Sequence, residues 1–228
     1  DIQSMDLKLT RYWAFRLLPE KDRINVSYEE AKENLVYLLQ KSVADRLIAD
    51  VPVGIFLSGG IDSTVIVSAA RMANSQDFIK TFSIGFNEPS YDETKYAKLA
   101  SDYFSTDHKF RILSEKIAQS RIEKALSDLD EPLGDASFIP MQYLCEFAKN
   151  DVTVCLSGDG GDELFSGYDP FKAIEYGHIA RSIFPLSLLK MFCRMVNFLP
   201  KSDKNMSLHF KAHRFFEGIL RDPALWLP

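Results

Sequence analysis

The chain has 228 residues, 46% of them hydrophobic, and a formal net charge of −5. That length holds one sizeable α/β domain plus an appendage, and the apolar share suffices for a packed core. The acidic balance speaks against a mainly electrostatic nucleic-acid binder or a membrane-surface protein; with no bilayer-spanning stretch and no signal-peptide pattern, the expectation is a cytoplasmic protein.

Residues 1–26 read as an irregular segment or linker. It holds the aromatic cluster Tyr12, Trp13 and Phe15, expected to pack on the domain surface or to arrive from an upstream domain. A helix is predicted from Ser27, where Ser27 and Glu30 form a capping box. Ala31, Leu35, Leu38, Leu39, Ser42 and Arg46 then make a stripe at helical spacing that should cover one face of a sheet. Val51 to Leu57 is a short apolar run that reads as a buried strand, Ser58 to Ser63 a small-residue turn, and Thr64 to Arg71 a helix. Further strands are expected at Ile79–Phe86, Asp107–Ile112 and Asp151–Leu156, the last one buried. Helices are expected from Tyr91 to Phe104, about Ser114 to Leu129, and Phe138 to Lys149. Strand and helix alternating at this spacing give an α/β fold with a doubly wound parallel sheet flanked by helices. The helical stretch from Phe171 to Lys211 is apolar and basic and reads as an incomplete helical part.

A strand that breaks at Gly59 and Gly60 and re-enters as a helix aims several backbone N–H groups at one point, where the helix dipole is also positive. That geometry suits a phosphate or pyrophosphate. Ser58 and Ser63 add hydroxyl donors, and no Gly-Lys-Ser/Thr of the Walker kind follows. A second glycine-rich turn, Ser157-Gly-Asp-Gly-Gly-Asp-Glu163, carries three acids. Carboxylates beside a phosphate-binding turn call for a divalent cation, and Mg²⁺ suits the task, with Asp62 and Asp162 as its candidate ligands. A calcium loop fits poorly, because the twelfth position counted from Asp159 is Pro170 rather than Glu. Both turns should emerge at the carboxyl edge of one sheet and form one site.

The string Ser58-Gly-Gly-Ile-Asp-Ser63 resembles the pyrophosphate loop of the ATP pyrophosphatase superfamily, whose fold is of the adenine nucleotide alpha hydrolase kind. With Thr81-Phe-Ser-Ile-Gly-Phe86, Tyr91-Asp-Glu93, Glu131-Pro132 and Ser157 to Phe165 in order, the stretch from Val51 to Tyr168 resembles the synthetase domain of glutamine-dependent asparagine synthetases. A weaker echo lies at Arg214–Leu220. The resemblance implies a carbon–nitrogen ligase that uses ATP and Mg²⁺. Aspartate's side-chain carboxylate attacks the α-phosphorus, pyrophosphate leaves, and ammonia displaces AMP.

By the same resemblance, the backbones of Leu57 and Ile84 hold the adenine, while Ser157 and Gly158 lie near the ribose and phosphates. Ser58, Gly59, Gly60, Asp62 and Ser63 hold pyrophosphate, and Asp159 stands at the position important for adenylate formation, where many relatives carry Glu. Asp135 and Ser137 fall in the loop that faces aspartate in the family. Ammonia would come from a glutaminase domain whose nucleophile is an N-terminal cysteine, whereas here residue 1 is Asp and the first cysteine is Cys145. The family's adenylation lysine has no counterpart before Pro228. The sequence is thus expected to be a fragment: a linker at 1–26, a synthetase domain at 27–170 and an incomplete helical extension at 171–228. On its own it should not deamidate glutamine. A homodimer of the full-length protein is compatible with the resemblance.

Other residues have plainer readings. Cys145, Cys155 and Cys193 make no Cys-x-x-Cys pair and read as reduced, buried thiols. His108, His178, His209 and His213 lack zinc-site spacing, although the last two could share a helical face. Phe138, Ile139 and Met141 read as core rather than substrate contacts. Two alternatives stay open: a relative such as a β-lactam synthetase or another amidotransferase that adenylates a different carboxylate, and a nucleotide-binding domain without turnover.

Overall fold

The computed structural model describes residues 9–14, 19–74, 78–200 and 207–220. The chain falls into two compact units, one running to Leu38 and the other from Leu39. The first holds a 3-10 turn at Glu20–Asp22 and the start of helix α1, Tyr28–Leu47, whose residues from Leu39 belong to the second. Ser27 Oγ accepts from Glu30 N at 3.2 Å, one arm of the expected capping box. Tyr12 and Trp13 are exposed, and Phe15 lies outside the described residues.

The second unit is built on four strands: β1 Val53–Phe56, β2 Lys80–Phe86, β3 Asp107–Leu113 and β4 Val154–Leu156. They are all parallel, in the order β3-β2-β1-β4. The chain steps outward from β1 to β3, then returns to place β4 on the other side of β1. That reversal opens a crevice beyond the carboxyl ends of β1 and β4. Helices α2 (Ile61–Ala73), α3 (Thr94–Phe104), α4 (Glu115–Ser127) and α5 (Phe138–Ala148) connect the strands.

Alternate side chains of each strand serve opposite faces. Ile55 and Leu57 pack with Val67, Ala69 and Ala70 of α2 and Ala97 and Ala100 of α3. On the other face, Phe56, Phe82 and Ile84 pack with Leu144, Phe147 and Ala148 of α5, and the Phe82 and Phe147 rings meet edge-on at 5.8 Å. Two apolar layers, one on each side of a parallel sheet, make this the doubly wound α/β architecture.

Three expectations change in detail. The stripe on α1 is predicted over Ala31, Leu35, Leu38, Leu39, Ser42 and Arg46 with Leu47 nearby, yet from Leu39 onward the residues that meet the core are Val43, outside that stripe, and Leu47. Arg46 instead turns out and donates to Ser42 O at 2.9 Å. Strand β1 begins at Val53 rather than Val51, because Pro52 has no N–H to give; its carbonyl accepts from Thr153 N at 3.0 Å instead. Strand β4 was expected to be buried, but it has three residues, sits at the sheet edge with one neighbour, and leaves Val154 42% exposed.

The cysteines also depart from expectation. Cys145 is exposed and Cys155 and Cys193 are half-buried, all three unpaired. Burial pushes the Cys155 thiol up to about 11, in keeping with a packing role.

Beyond β4 the chain is helical: α6 Gly161–Phe165, α7 Asp169–Ile183, α8 Leu186–Val196 and α9 Leu208–Leu220. Helices α8 and α9 pack through Phe192 and Phe216, 6.2 Å apart, and bury Leu189, Val196 and Ile219. No described helix is long and apolar enough to cross a membrane.

Candidate functional site

The turn between β1 and α2 is held by its own hydrogen bonds. Ser58 Oγ lies 3.0 Å from Ser63 Oγ and accepts from Gly60 N at 3.1 Å. Ser63 Oγ accepts from Ser58 N at 3.3 Å and donates to Gly60 O at 3.3 Å. Both hydroxyls, expected as donors to a ligand, are therefore engaged within the turn. Gly59 is left-handed, with φ +86°, and a Cβ there would fall 2.4 Å from the backbone N of Ala97 in α3. The glycine is required by this close packing as well as by its φ. Gly60 meets no such limit, its nearest neighbour being Ser58 Oγ at 3.2 Å.

The second turn leaves β4 beside β1, since Ile55 and Leu156 are register partners. Ser157 Oγ donates to Asp159 Oδ2 at 2.8 Å. A Cβ on Gly158 would lie 2.8 Å from Ser63 N and 2.9 Å from Asp62 Cβ, and one on Gly161 would lie 2.5 Å from Asp62 Cγ. The two glycine turns are thus in direct contact although about 100 residues apart in sequence. At the far end of α6, Gly167 N donates to Asp162 O at 3.0 Å and the Tyr168 hydroxyl donates to Glu163 Oε1 at 2.7 Å. That bond holds the Glu163 carboxyl below the usual range and pushes the Tyr168 phenol up to about 12.

A cavity of about 580 Å³ opens where the turns meet. Leu57, Ser58, Asp62 and Ser63 line it from the first turn, and Ser157, Gly158, Asp159 and Asp162 from the second, with Ile84 from β2. Gly59 and Gly60 belong to the same turn without lining the cavity. Asp135 and Ser137 are not among the lining residues either. Asp135 Oδ1 instead accepts from Ser137 N at 2.8 Å, which holds its carboxyl below the usual range.

Several lining residues were given no role from the sequence. Met141, read as core, is 39% exposed and forms an apolar wall with Pro140 and Leu144. Tyr91 and Glu93 reach the cavity because Asp92 ties down the turn after β2, accepting from Phe86 N at 3.3 Å and Thr94 Oγ1 at 2.9 Å. Glu163 and Tyr168 complete the rim. The clue was present in the sequence, since acids follow both β2 and β4 at the carboxyl edge.

Asp62, Glu93, Asp159, Asp162 and Glu163 give this cavity five carboxylates and no lysine or arginine. Among the described residues no three of His, Cys, Asp and Glu converge as a ready-made metal cage. A cation here would be held by one or two carboxylates and by ligand oxygens, which fits a hard ion such as Mg²⁺. Asp62 and Asp162, the two ligands expected from the sequence, both line the cavity; the Asp62 carboxyl packs against Gly161 and the Asp162 carboxyl against Gly167. Elsewhere, the rings of His209 and His213 stack 6.0 Å apart on α9, as their spacing suggested.

A model of the asparagine synthase family matches residues 34–218. The chain belongs to that family. It is 40% identical over 171 residues to a Methanocaldococcus jannaschii protein named as a candidate asparagine synthetase (glutamine-hydrolyzing) 2, covering 74% of this chain and 32% of that protein. Asparagine synthetase (glutamine-hydrolyzing) 1 of Bacillus subtilis is 37% identical over 171 residues, covering 75% of this chain and 24% of that one. Amidase chyE of Penicillium rubens is 30% identical over 176 residues, 71% of this chain and 26% of that protein. The chain thus spans between 24% and 32% of the length of these relatives. A slighter likeness, at TM-score 0.39 and 16% identity, runs to an NH3-dependent NAD synthetase from Campylobacter jejuni, covering 63% of this chain and 61% of that one.

Proposed function

We propose that residues 27–170 form the ATP-using half of an amidoligase, which activates the side-chain carboxylate of aspartate as an adenylate and passes it to ammonia. The observation that carries this is the contact of Gly158 and Gly161 against Asp62, which joins a donor-rich turn and an acidic turn in one cavity. Backbone groups of Leu57 and Ile84 hold the adenine, and Ser157 and Gly158 lie along the ribose and phosphates. The turn from Ser58 to Ser63, at the N-terminus of α2, receives the pyrophosphate, through the amides that remain once Ser58 N and Gly60 N have bonded to the turn's own hydroxyls.

Carboxylate and triphosphate are both anionic and repel until neutralised. Bound Mg²⁺, held by Asp62 and Asp162, would supply charge neutralisation at the phosphate oxygens. The aspartate oxygen forms a bond to the α-phosphorus as the bond to the pyrophosphate oxygen breaks. Ammonia then bonds to the acyl carbon, AMP leaves, and one proton is released. Asp159 faces this step from a hydrogen bond with Ser157. Ammonia is delivered by a glutaminase domain of the whole protein.

The likeness to an enzyme named an amidase favours one second reading, in which the same cavity adenylates a different carboxylate. Pyrophosphate release by the full-length protein, measured against a panel of carboxylic amino acids with ATP, Mg²⁺ and ammonium, separates the two. Release stimulated by aspartate alone is the expected result. Release with another acid selects the runner-up, and no release with any acid would overturn both.

A further inference from the structure

A run of polar side chains crosses the apolar layer between the sheet and α3. Thr106 Oγ1 donates to Ser101 Oγ at 3.0 Å and lies 2.8 Å from Thr81 Oγ1. Thr81 Oγ1 is 2.9 Å from His108 Nδ1, and His108 Nε2 is 3.3 Å from Ser83 Oγ. Thr81, Ser83 and Ser101 are three of the few buried polar residues described, among neighbours such as Ala97 and Ala100. Hydroxyls in such a place are costly unless each is bonded, so the chain of contacts is a constraint rather than an accident.

Proton counting gives the chain a direction. Each hydroxyl has one proton to donate. The Thr106 proton goes to Ser101, so Thr81 must donate to Thr106, and His108 Nδ1 must donate to Thr81. A neutral ring then has Nε2 left as an acceptor, which takes the proton of Ser83. Burial, and next the Lys98 ammonium on α3, hold the imidazole below its ordinary pKa and so keep it neutral. Asp102 of α3, Asp107 of β3 and a hydrogen bond to the Thr81 backbone pull the other way, β2 presents the uncharged Thr81 and Ser83, and Phe110 stacks at 6.4 Å.

The chain ends at the candidate site. Leu57 N donates to Phe82 O at 2.9 Å, which sets Ser83 level with Leu57, and Ser83 lines the cavity beside Ile84. We propose that His108 is a positioning residue for the nucleotide pocket: by accepting from Ser83 it fixes the Ser83–Ile84 stretch of β2 on which the base rests. This rests on the nucleotide reading above. Protonation puts a hydrogen on Nε2, so the Ser83 hydroxyl must turn round and the fixed stretch loosens. Nucleotide affinity therefore falls as pH drops through the lowered His108 value, below the ordinary histidine pKa.

The test uses the full-length protein and its Ser83→Ala, His108→Ala and His108→Gln variants. ATP·Mg²⁺ affinity is measured by calorimetry in steps from about pH 8, above the unperturbed histidine pKa, downward until nitrogen-15 shifts show His108 protonated. At the higher pH both alanine variants should bind about fivefold more weakly, the scale of one neutral hydrogen bond. His108→Gln, which still offers an acceptor but takes up no proton, should keep wild-type affinity and lose the pH dependence. Nitrogen-15 shifts of His108 should report the Nδ1–H tautomer. An Nε2–H tautomer breaks the chain and overturns the proposal without reference to any nucleotide. Lowered melting temperatures with unchanged affinity in both alanine variants would reduce His108 to a structural part and overturn it too. Wild-type protein that binds no ATP would sink the site assignment itself, a distinct failure.

Discussion

Gly59 and Gly160 have nearly the same left-handed backbone, φ +86° and +91°, but opposite surroundings. A side chain on Gly59 would drive into the backbone of Tyr96 and Ala97 at 2.4 Å, whereas nothing lies within 4 Å of one on Gly160. The turn after β1 is clamped by α3 and by the paired Ser58 and Ser63 hydroxyls. The turn after β4 is acidic, packs on the first turn through Gly158 and Gly161, is open around Gly160, and is tied at its far end by Tyr168. One half of the cavity is a rigid set of donors whose geometry is fixed before any ligand arrives. The other carries the carboxylates of Asp159, Asp162 and Glu163 and rests on the first turn through Gly158 and Gly161.

Gly59→Ala should break this contrast most severely. It combines the left-handed penalty with overpacking against backbone that has no rotamer to move, a sum of roughly 3–4 kcal/mol. A denaturant titration should show the loss as a shifted midpoint, and ATP binding should fail with it. A variant of wild-type stability would mean that α3 does not clamp the turn.

Gly158→Ala and Asp62→Ala test the contact between the halves. A methyl on Gly158 has to push away Ser63 N and Asp62, while Asp62→Ala removes a carboxylate assigned to the cation. Each should weaken Mg²⁺-dependent ATP binding by on the order of 1–3 kcal/mol, the scale of a strained contact or of a lost charge-assisted one. Equal affinity in calorimetry of wild type and Asp62→Ala would detach the first turn from the metal. Gly160→Ala sharpens the comparison from below, since only the left-handed strain of about 1 kcal/mol applies there.

Much of this architecture is legible in the residues. Apolar runs mark β1 and β2, and the alternation of strand and helix is enough to put both glycine turns at the carboxyl edge of one parallel sheet. The failures have physical causes. Strand β4 looks as apolar as β1 in sequence, but edge position is a property of the whole sheet and no local pattern carries it. Met141 looks like core because an apolar cavity wall and an apolar core use the same residues. The need for glycine at 59 comes from α3, some 37 positions later, and a ligand-centred account of the turn misses it. Ser83 and His108 sit in unremarkable strands until register brings them together.

The smallest effect should come from Tyr168→Phe, which cuts the tether of the open turn. The Tyr168 hydroxyl donates to Glu163 at 2.7 Å from exposed positions, so solvent competes strongly and no large change in stability is expected. The signature is in titration. The bond favours the carboxylate of Glu163 over its acid and the phenol of Tyr168 over its phenolate. Its stabilisation is thus present above the ordinary glutamate value and lost as pH falls through the lowered one. It is equally lost as pH rises toward the raised phenol value of about 12. Carbon-13 NMR should show the Glu163 carboxyl titrating higher in Tyr168→Phe than in wild type. Glu163→Gln should let the Tyr168 phenol fall back toward its ordinary value of 10.0. Glu163 titrating alike with and without the Tyr168 hydroxyl would show that the tether is not formed in solution, leaving the far end of the turn to the Gly167–Asp162 bond and the rest to the packing of Gly158 and Gly161 on Asp62.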